Sequence, residues 1–254
     1  MDLGLRDRVY VVTGASRGLG RASAIALAAE GAKLVLCSRD EESLNVVAQE
    51  LGGHENAIAV AGDLSQEDTA GRLVAAANAR WDRLDGALIS VGGPKPGPVI
   101  DITDDDWRGG FETVFLGPLR VARAVAAGIG DDGGSMVFVL SSSVKQPVDG
   151  LATSNGLRPG VAMTAKTMAD ELGPRGIRVN GLLPGRVDTD RARELDAMSG
   201  RGDKARRDFE ARIPLRRYGD PQEFGRAAAF LLSPAASYIT GVMLPVDGGL
   251  IRSV

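Results

Sequence analysis

Residues 10–29, YVVTGASRGLGRASAIALAA, read as an apolar strand, a glycine-rich turn and an amphipathic helix. Gly14, Gly18 and Gly20 follow the strand, and Gly31 is a typical residue to end the helix. In such a unit one glycine permits the tight turn, one lets the backbone approach a pyrophosphate, and one lets the helix pack on the sheet. The stretch therefore predicts a dinucleotide-binding site.

Apolar strand candidates alternate with helical patterns along the rest of the chain. The predicted strands are residues 9–12, 33–37, 57–61, 86–90, 135–140, 178–183 and 242–246. This alternation favours a parallel sheet with helices on both faces. Because no repeat or linker interrupts the pattern, we predict an α/β fold over residues 1–254: a single doubly wound Rossmann domain with a seven-stranded parallel sheet.

Three places in the sequence predict helix starts. Ser65 with Asp68, and Thr103 with Asp106, resemble capping boxes in which aspartate replaces glutamate. Asp220 precedes a proline, the residue that suits the first position of a helix.

Composition limits the classes of function. The 254 residues are 44% hydrophobic, enough to fill a sizeable core, and their formal net charge is −3, which argues against a nucleic-acid partner. The chain has no apolar stretch of membrane-spanning length and its first residues lack a secretion signal, so we expect a cytoplasmic protein without a membrane partner. Cys37 and His54 are its one cysteine and one histidine, so we expect a buried thiol, a solvated histidine and no metal site.

Residues 186–217 are rich in charge, poor in apolar periodicity, and follow the sixth predicted strand. Open α/β sheets bind ligands at the carboxyl ends of their strands, so we interpret this segment as a mobile substrate lid. Its arginines alternate with acids, which favours a solvated face of compensated charge over a site for an anionic substrate.

Four motifs occur in one order along the chain: TGASRGLG at 13–20, Asp63-Leu64, PGRVDT at 184–189 and VDGG at 246–249. In this order they resemble the motifs of short-chain dehydrogenases/reductases, and more narrowly of the 3-oxoacyl-carrier-protein reductase group. The resemblance covers nearly the whole chain and implies an NAD(P)-dependent oxidoreductase. The cofactor-binding residues that it implies are Thr13, Gly14, Ser16, Arg17, Gly18, Leu19, Gly20, Ser38, Arg39, Asp63, Leu64, Ser90, Gly92, Pro184, Gly185, Val187 and Thr189.

The residues after the second predicted strand bear on the choice of cofactor. Relatives that bind NAD place an acid there to hydrogen-bond the ribose 2′-hydroxyl, whereas this chain has Ser38 and Arg39. A guanidinium and a hydroxyl suit a 2′-phosphate, and Arg17 adds a second cation that the family associates with NADP. We therefore expect NADP(H) to be preferred over NAD(H); the alternative is that Arg39 is only a surface residue.

The catalytic residues of the family are only partly present. In the family a serine polarises the substrate oxygen, a tyrosine passes the proton, and a lysine four residues later lowers the tyrosine pKa and holds the nicotinamide ribose. Ser142 matches the serine, but Asn155 occupies the tyrosine position and Pro159 the lysine position. No tyrosine anywhere in the chain has a lysine four residues after it.

These substitutions change the chemistry that the site can offer. Asn155 can orient a carbonyl and Arg158 can supply positive charge, but neither can give up a proton near neutral pH. Lys145 is a candidate proton donor if it is desolvated, the alternative being a lysine of a solvated loop. Pro159 suits only the first turn of a helix, so we expect the helix to begin at 155–158 or to kink there. The pattern resembles an atypical branch of the family.

Two hypotheses remain open from the sequence. The first is an NADP(H)-dependent oxidoreductase acting on a ketone or secondary alcohol, with Ser142 binding the oxygen and Asn155, Lys145 or water completing the proton relay. The second is a dinucleotide-binding protein with little catalysis, a redox sensor or the partner subunit of an active relative. The resemblance also implies a homo-oligomer, a tetramer or dimer, formed through helices near 111–129 and 160–172.

Overall fold

A computed structural model describes residues 2–198 and 203–253. Within these residues, seven parallel strands form one sheet in the order β3-β2-β1-β4-β5-β6-β7. The strands are β1 Val9–Thr13, β2 Lys33–Ser38, β3 Ala57–Ala61, β4 Gly86–Ile89, β5 Gly134–Val139, β6 Ile177–Pro184 and β7 Met243–Val246. The predicted fold class is therefore confirmed, and each predicted strand overlaps an observed one.

Helices cover both faces of the sheet. They are α1 Gly18–Ala29, α2 Glu41–Glu50, α3 Thr69–Trp81, α4 Asp104–Gly110, α5 Gly117–Gly128, α6 Ala152–Leu172, α7 Asp190–Met198, α8 Asp203–Arg212 and α9 Pro221–Leu232, with a π-helical turn, Phe111–Leu116, between α4 and α5. On one face, α1 and α9 bury Leu27 and Phe224 in one apolar cluster. On the other, α3 and α5 bury Leu73 and Val125 in a second cluster. Burial on both faces explains why the strands are continuously apolar.

The chain reverses its winding direction at β1. Since β1 pairs with β2 on one side and with β4 on the other, the segments that leave the carboxyl ends of β1 and β4 diverge and open a crevice. Thr13 ties these two ends together, because its hydroxyl donates to the Ser90 carbonyl at 2.7 Å and accepts from the Ser90 amide at 2.8 Å. The sheet therefore offers a rigid binding crevice at this edge.

Two of the three predicted helix starts are confirmed. The Thr103 hydroxyl accepts from the Asp106 amide at 3.2 Å, and the Asp106 carboxylate accepts from the Thr103 amide at 3.1 Å, which completes a capping box at the start of α4. Pro221 is the first residue of α9, and the preceding Asp220 amide donates to Glu223 at 2.8 Å.

The capping box predicted for Ser65 with Asp68 is wrong. α3 begins at Thr69, and the Asp68 side chain accepts no capping hydrogen bond. Ser65 instead donates both its amide and its hydroxyl to the Asp63 carboxylate, each at 2.9 Å. The nearer carboxylate therefore takes the serine that a capping box would need.

The sequence predicted that the helix around Pro159 begins at 155–158 or kinks there, and the first of these two alternatives is wrong. α6 begins at Ala152, three residues before the predicted range, and continues through Pro159 to Leu172. The first turn is held from outside the helix, because the Ala152 amide donates to the Gly97 carbonyl at 3.2 Å. The buried side chains of this turn and this long-range bond offset the backbone hydrogen bond that the proline removes.

Candidate active site

The glycine turn has the geometry that a dinucleotide needs. Gly14 and Gly18 have φ values of +61° and +57°, a region that side chains with a Cβ rarely adopt. A Cβ on Gly20 would lie 2.2 Å from the Gly14 carbonyl oxygen, so only glycine lets α1 begin this close to the turn. The amino end of α1 is thus left open to a pyrophosphate, and these residues fit the predicted cofactor.

The PGRVDT segment forms the opposite side of the same groove. Thr189 faces the glycine turn, since a Cβ on Gly18 would lie 3.8 Å from the Thr189 methyl group. A Cβ on Gly185 would lie 2.6 Å from the Asp247 Cβ, so a glycine is required where the VDGG motif packs against this segment. Two of the motifs quoted from the sequence are therefore in direct contact although 62 residues separate Gly185 from Asp247.

Arg39 and Asp40 follow β2 directly, and the Asp40 carboxylate is already hydrogen-bonded within the protein. The Arg39 side chain is 80% exposed, with Nη1 4.0 Å from the Asp63 carboxylate. The neighbouring Asp40 caps α2 and accepts from the Ser43 hydroxyl at 2.6 Å and from its amide at 3.2 Å. These hydrogen bonds lower the pKa of the Asp40 carboxyl. Asp40, the acid next to Arg39 in the sequence, is therefore already used to cap α2.

Ser142 lies just after β5 with its hydroxyl free. It begins a short 3₁₀ turn, Ser142–Val144, and its hydroxyl has no hydrogen bond to any residue that the structure describes. Its neighbours are bound: Ser141 accepts from the Ser143 amide at 3.1 Å, and the Ser143 hydroxyl lies 3.2 Å from that of Ser154 on α6. The two flanking serines thus fix the turn and leave the middle one open to a ligand.

Both polar atoms of the Asn155 side chain bind the backbone of the loop that precedes α6. Its Oδ1 accepts from the Val148 amide at 3.0 Å and its Nδ2 donates to the Val148 carbonyl at 2.9 Å. This pair of bonds mimics strand pairing and closes the loop onto the helix. The residue in the family's tyrosine position therefore has a structural function that the sequence did not reveal.

Arg158 is a buried cation beneath the same edge of the sheet. It is 6% exposed, and its Nη1 donates to the Val139 carbonyl at the end of β5 at 3.0 Å. Burial and, to a smaller extent, the nearby positive charge of Arg191 together lower the pKa of its guanidinium to about 10. Lys145, by contrast, lies exposed on the loop after Ser142.

The three tyrosines of the chain lie elsewhere. Tyr10 is buried in β1 and donates to the Leu232 carbonyl at 3.1 Å. Tyr218 donates to the Asp196 carboxylate at 2.8 Å, and Tyr238 is fully exposed. Each of the two buried phenols is therefore already bound at a site other than Ser142.

The charged segment after β6 is folded where the structure describes it, and residues 199–202 of the predicted lid lie outside the described part. α7 and α8 are joined through Asp188, which pairs with Arg193 at 2.7 Å and with Arg206 at 3.1 Å. The Arg186 guanidinium stacks over the Phe209 ring, 3.7 Å from its centroid. These long-range contacts were missed because charge alternation alone does not indicate which arginine pairs with which acid.

The remaining side chains that were singled out have ordinary surroundings. Cys37 is buried, as predicted, and burial raises the pKa of its thiol to about 11. His54 is exposed. Among the described residues, no cluster of histidine, cysteine and acidic side chains could hold a metal ion. In the same part of the chain, no helix combines the length and apolar character that crossing a bilayer requires.

Comparison with known proteins identifies the family. A family model described as enoyl-(acyl carrier protein) reductase matches residues 14–251. An uncharacterized oxidoreductase of Mycobacterium tuberculosis is 34% identical over 249 residues, which cover 97% of this chain and 93% of that protein. A 3-oxoacyl-[acyl-carrier-protein] reductase of Synechocystis sp. is 31% identical over 251 residues, 97% of this chain and 98% of the relative. The chain therefore belongs to the short-chain dehydrogenase/reductase family of NAD(P)-dependent oxidoreductases.

The fold is shared with solved structures along its full length. L-sorbose reductase from Gluconobacter frateurii, complexed with NADPH and L-sorbose, superimposes with a TM-score of 0.92 at 27% identity, and all of both chains is covered. The protein is thus similar in sequence to a 3-oxoacyl-[acyl-carrier-protein] reductase and in structure to an L-sorbose reductase. Neither similarity specifies its substrate.

Proposed function

We propose that this protein is an NADP(H)-dependent oxidoreductase that interconverts a ketone and a secondary alcohol. The observation that carries the proposal is the free Ser142 hydroxyl at the edge of the sheet that also holds the glycine turn. A hydroxyl in this position can donate to a substrate oxygen and polarise the carbonyl as negative charge develops on that oxygen. When bound, the dinucleotide supplies the hydride for reduction or accepts it in the reverse reaction.

The proton must come from a group other than Asn155. Its amide has no titratable proton, and both its oxygen and its nitrogen bind Val148. Lys145 lies three residues from Ser142 but is exposed, which matches the solvated-loop alternative and not the desolvated donor. We therefore propose that water supplies the proton in place of the family's tyrosine, with Lys145 as the neighbouring side chain of the relay.

The preference for NADP(H) over NAD(H) is part of the proposal. Its support is the combination of an exposed Arg39, an exposed Arg17 at the glycine turn, and an Asp40 carboxylate already held by Ser43. The L-sorbose reductase structure, which contains NADPH, agrees with this preference. We propose that Arg39 and Ser38 bind the 2′-phosphate and that the remaining motif residues bind the rest of the dinucleotide.

The binding of Asn155 to the backbone favours a second candidate, a dinucleotide-binding protein with little catalysis. Loss of a positioned proton donor typically costs on the order of 10²- to 10⁴-fold in rate, while cofactor binding can persist. Such a protein would serve as a redox sensor or as the partner of an active relative. The two candidates differ in turnover and agree in cofactor binding.

Turnover separates the two candidates. Purified protein is incubated with NADPH and a panel of oxoacyl thioesters, sugars and small ketones, and absorbance is followed at 340 nm. We expect turnover to fall at least about 100-fold in Ser142→Ala and about tenfold in Lys145→Gln, while both variants retain their affinity for NADPH. Tight NADPH binding without turnover on any member of the panel would favour the second candidate.

The assembly and location expected from the sequence stay predictions. We propose a homo-oligomer formed through α5 and α6, since exposed apolar side chains lie on these elements or beside them, including Phe111 and Met163. Sedimentation of the purified protein tests this assembly. Imaging of a tagged full-length chain tests the predicted cytoplasmic location.

A further inference from the structure

Arg158 is a buried charge without a charged partner. Among the carboxylates that the structure describes, none lies within the 4.0 Å of an ion pair with this guanidinium. Its one hydrogen bond to a described residue runs to the neutral Val139 carbonyl. Removing a cation from water costs several kcal/mol unless an anion compensates it. An arginine buried in this way beside an open crevice is therefore poised to bind an anionic ligand.

Arg191 brings a second guanidinium towards the same place from α7. Its Nη2 donates to the Pro94 carbonyl at 3.3 Å, and its Nε would lie 3.0 Å from a Cβ on Gly93, so it reaches the loop that follows β4. Its contact with a carboxylate, Glu194, is a solvent-exposed pair at 3.4 Å between residues three apart on one helix. Exposed pairs of this kind contribute little, so the charge of Arg191 remains available.

The sheet register brings the two arginines together. Ile89 of β4 pairs with Phe138 of β5, so the residues that follow them, Ser90 and Val139, lie side by side at the carboxyl ends of the two strands. Arg158 binds the end of β5, and Arg191 binds the loop that begins at the end of β4. Both guanidinium groups therefore lie at the carboxyl ends of β4 and β5, where the Ser142 turn also begins, and the charge of Arg191 is near enough to act on Arg158.

We propose that Arg158 and Arg191 form an anion-binding pair that holds the carboxylate or phosphate group of a carbonyl substrate beside Ser142. The planar guanidinium of arginine matches the geometry of both groups. This inference rests on the proposed function and adds a substrate class to it: ketones, or the corresponding alcohols, that carry a terminal oxyanion. Arg191 differs in this respect from Arg193 and Arg206, because both of those arginines pair with Asp188.

The pair is tested by binding rather than by turnover. Isothermal titration measures acetoacetate, its uncharged methyl ester and inorganic phosphate against protein saturated with NADP⁺, with potassium chloride matching the ionic strength. We expect acetoacetate and phosphate to bind, and the ester to bind at least about tenfold more weakly. Arg191→Gln should weaken both anions about tenfold, whereas Arg193→Gln, two residues away on α7, should change neither.

Three results would overturn the proposal: no anion binding to the original protein above the chloride control, equal effects of the two variants, or a loss in Arg191→Gln of NADPH affinity instead of anion affinity. The last result would assign Arg191 to the cofactor's own phosphates. The second variant is Arg158→Lys, which keeps the positive charge but loses the two parallel N–H donors of the guanidinium. Arg158→Met is not used, because removing the charge altogether risks preventing the protein from folding. Arg158→Lys should weaken anion binding with a circular dichroism spectrum like that of the original protein.

Failure of the proposed function gives a different pattern. NADPH titration of the protein alone tests the cofactor site without any anion. If no dinucleotide binds, the proposed function is refuted, and phosphate titration of the cofactor-free protein still tests the arginine pair. A loss in Arg191→Gln that is absent in Arg193→Gln would then support the pair by itself.

Discussion

Arg39→Asp should reverse the preference of this protein between NADPH and NADH. Arg39 follows β2 directly, its side chain is 80% exposed, and its one ionic contact within the described residues, with Asp63, is a long 4.0 Å. The guanidinium is therefore free to move onto a 2′-phosphate without breaking a strong pair. Asp40 cannot take its place as a ribose acceptor without giving up its hydrogen bonds to Ser43, which cap α2.

The size of the effect follows from these positions. A hydrogen bond to a charged group contributes about 1.5–3 kcal/mol, and the exposure of Arg39 reduces this to about 1–2 kcal/mol. A carboxylate in its place adds repulsion of about 1–2 kcal/mol with a doubly charged phosphate some 5 Å away in a solvent-like dielectric. Together these amount to about 100-fold in the ratio of the two dissociation constants.

The assay is titration of NADPH and NADH, followed by nucleotide fluorescence, with each variant. Arg39→Gln removes only the attraction and should weaken NADPH about tenfold without changing NADH. Arg6→Asp, an equally drastic change at an exposed arginine before β1, controls for net charge and should leave the ratio unchanged. Raising the salt concentration should reduce the preference. An unchanged ratio in Arg39→Asp would refute the assignment of the 2′-phosphate to this residue.

Three further changes test the framework around the site. Asp85 is 3% exposed and accepts from Arg8 at 2.8 Å, from Arg83 at 2.6 Å and from the buried Val9 amide at 2.8 Å. Asp85→Asn should therefore lower the free energy of unfolding by about 2–4 kcal/mol in urea titration and leave NADPH affinity unchanged; a loss below about 0.5 kcal/mol would contradict this reading. Asn155→Ala should cost about 1–3 kcal/mol and speed amide hydrogen exchange at Val148, because two hydrogen bonds are lost. Unaltered exchange at that amide would rule out the structural role. The hydrogen bonds from Arg217 lower the pKa of Glu223 to about 2 from a usual value of 4.5, so this pair stabilises the folded state above about pH 4.5 and loses that contribution as the pH falls towards 2. The stability difference between the original protein and Glu223→Gln should accordingly shrink between pH 6 and pH 3 in urea titrations, and a difference that grows on acidification would have the wrong sign.

The parts of the site that sequence could predict are local ones. The glycine turn depends on φ values and close approaches within residues 14–20, and the capping box at Thr103 depends on a residue three positions away. The parallel sheet follows from the alternation of apolar strands and helices, whereas the order of its strands was not predicted. The spacing of neighbouring residues was therefore sufficient to predict the fold class and the crevice proposed for the cofactor.

Only the tertiary structure determined which hydrogen-bond partners and which opposite charges the polar side chains of the site have. Asn155 has the same local pattern whether its amide faces a substrate or Val148, and only the packing of the loop before α6 determines which. Arg158 and Arg191 are 33 residues apart, and only the tertiary structure brings them to the carboxyl ends of β5 and β4, where they bind the Val139 and Pro94 carbonyls. The sequence by itself determined the glycine turn at which we propose that a dinucleotide binds, because backbone geometry follows from neighbouring residues. Which polar groups stay free for chemistry depended on contacts between distant segments, since burial and pairing arise only when those segments meet.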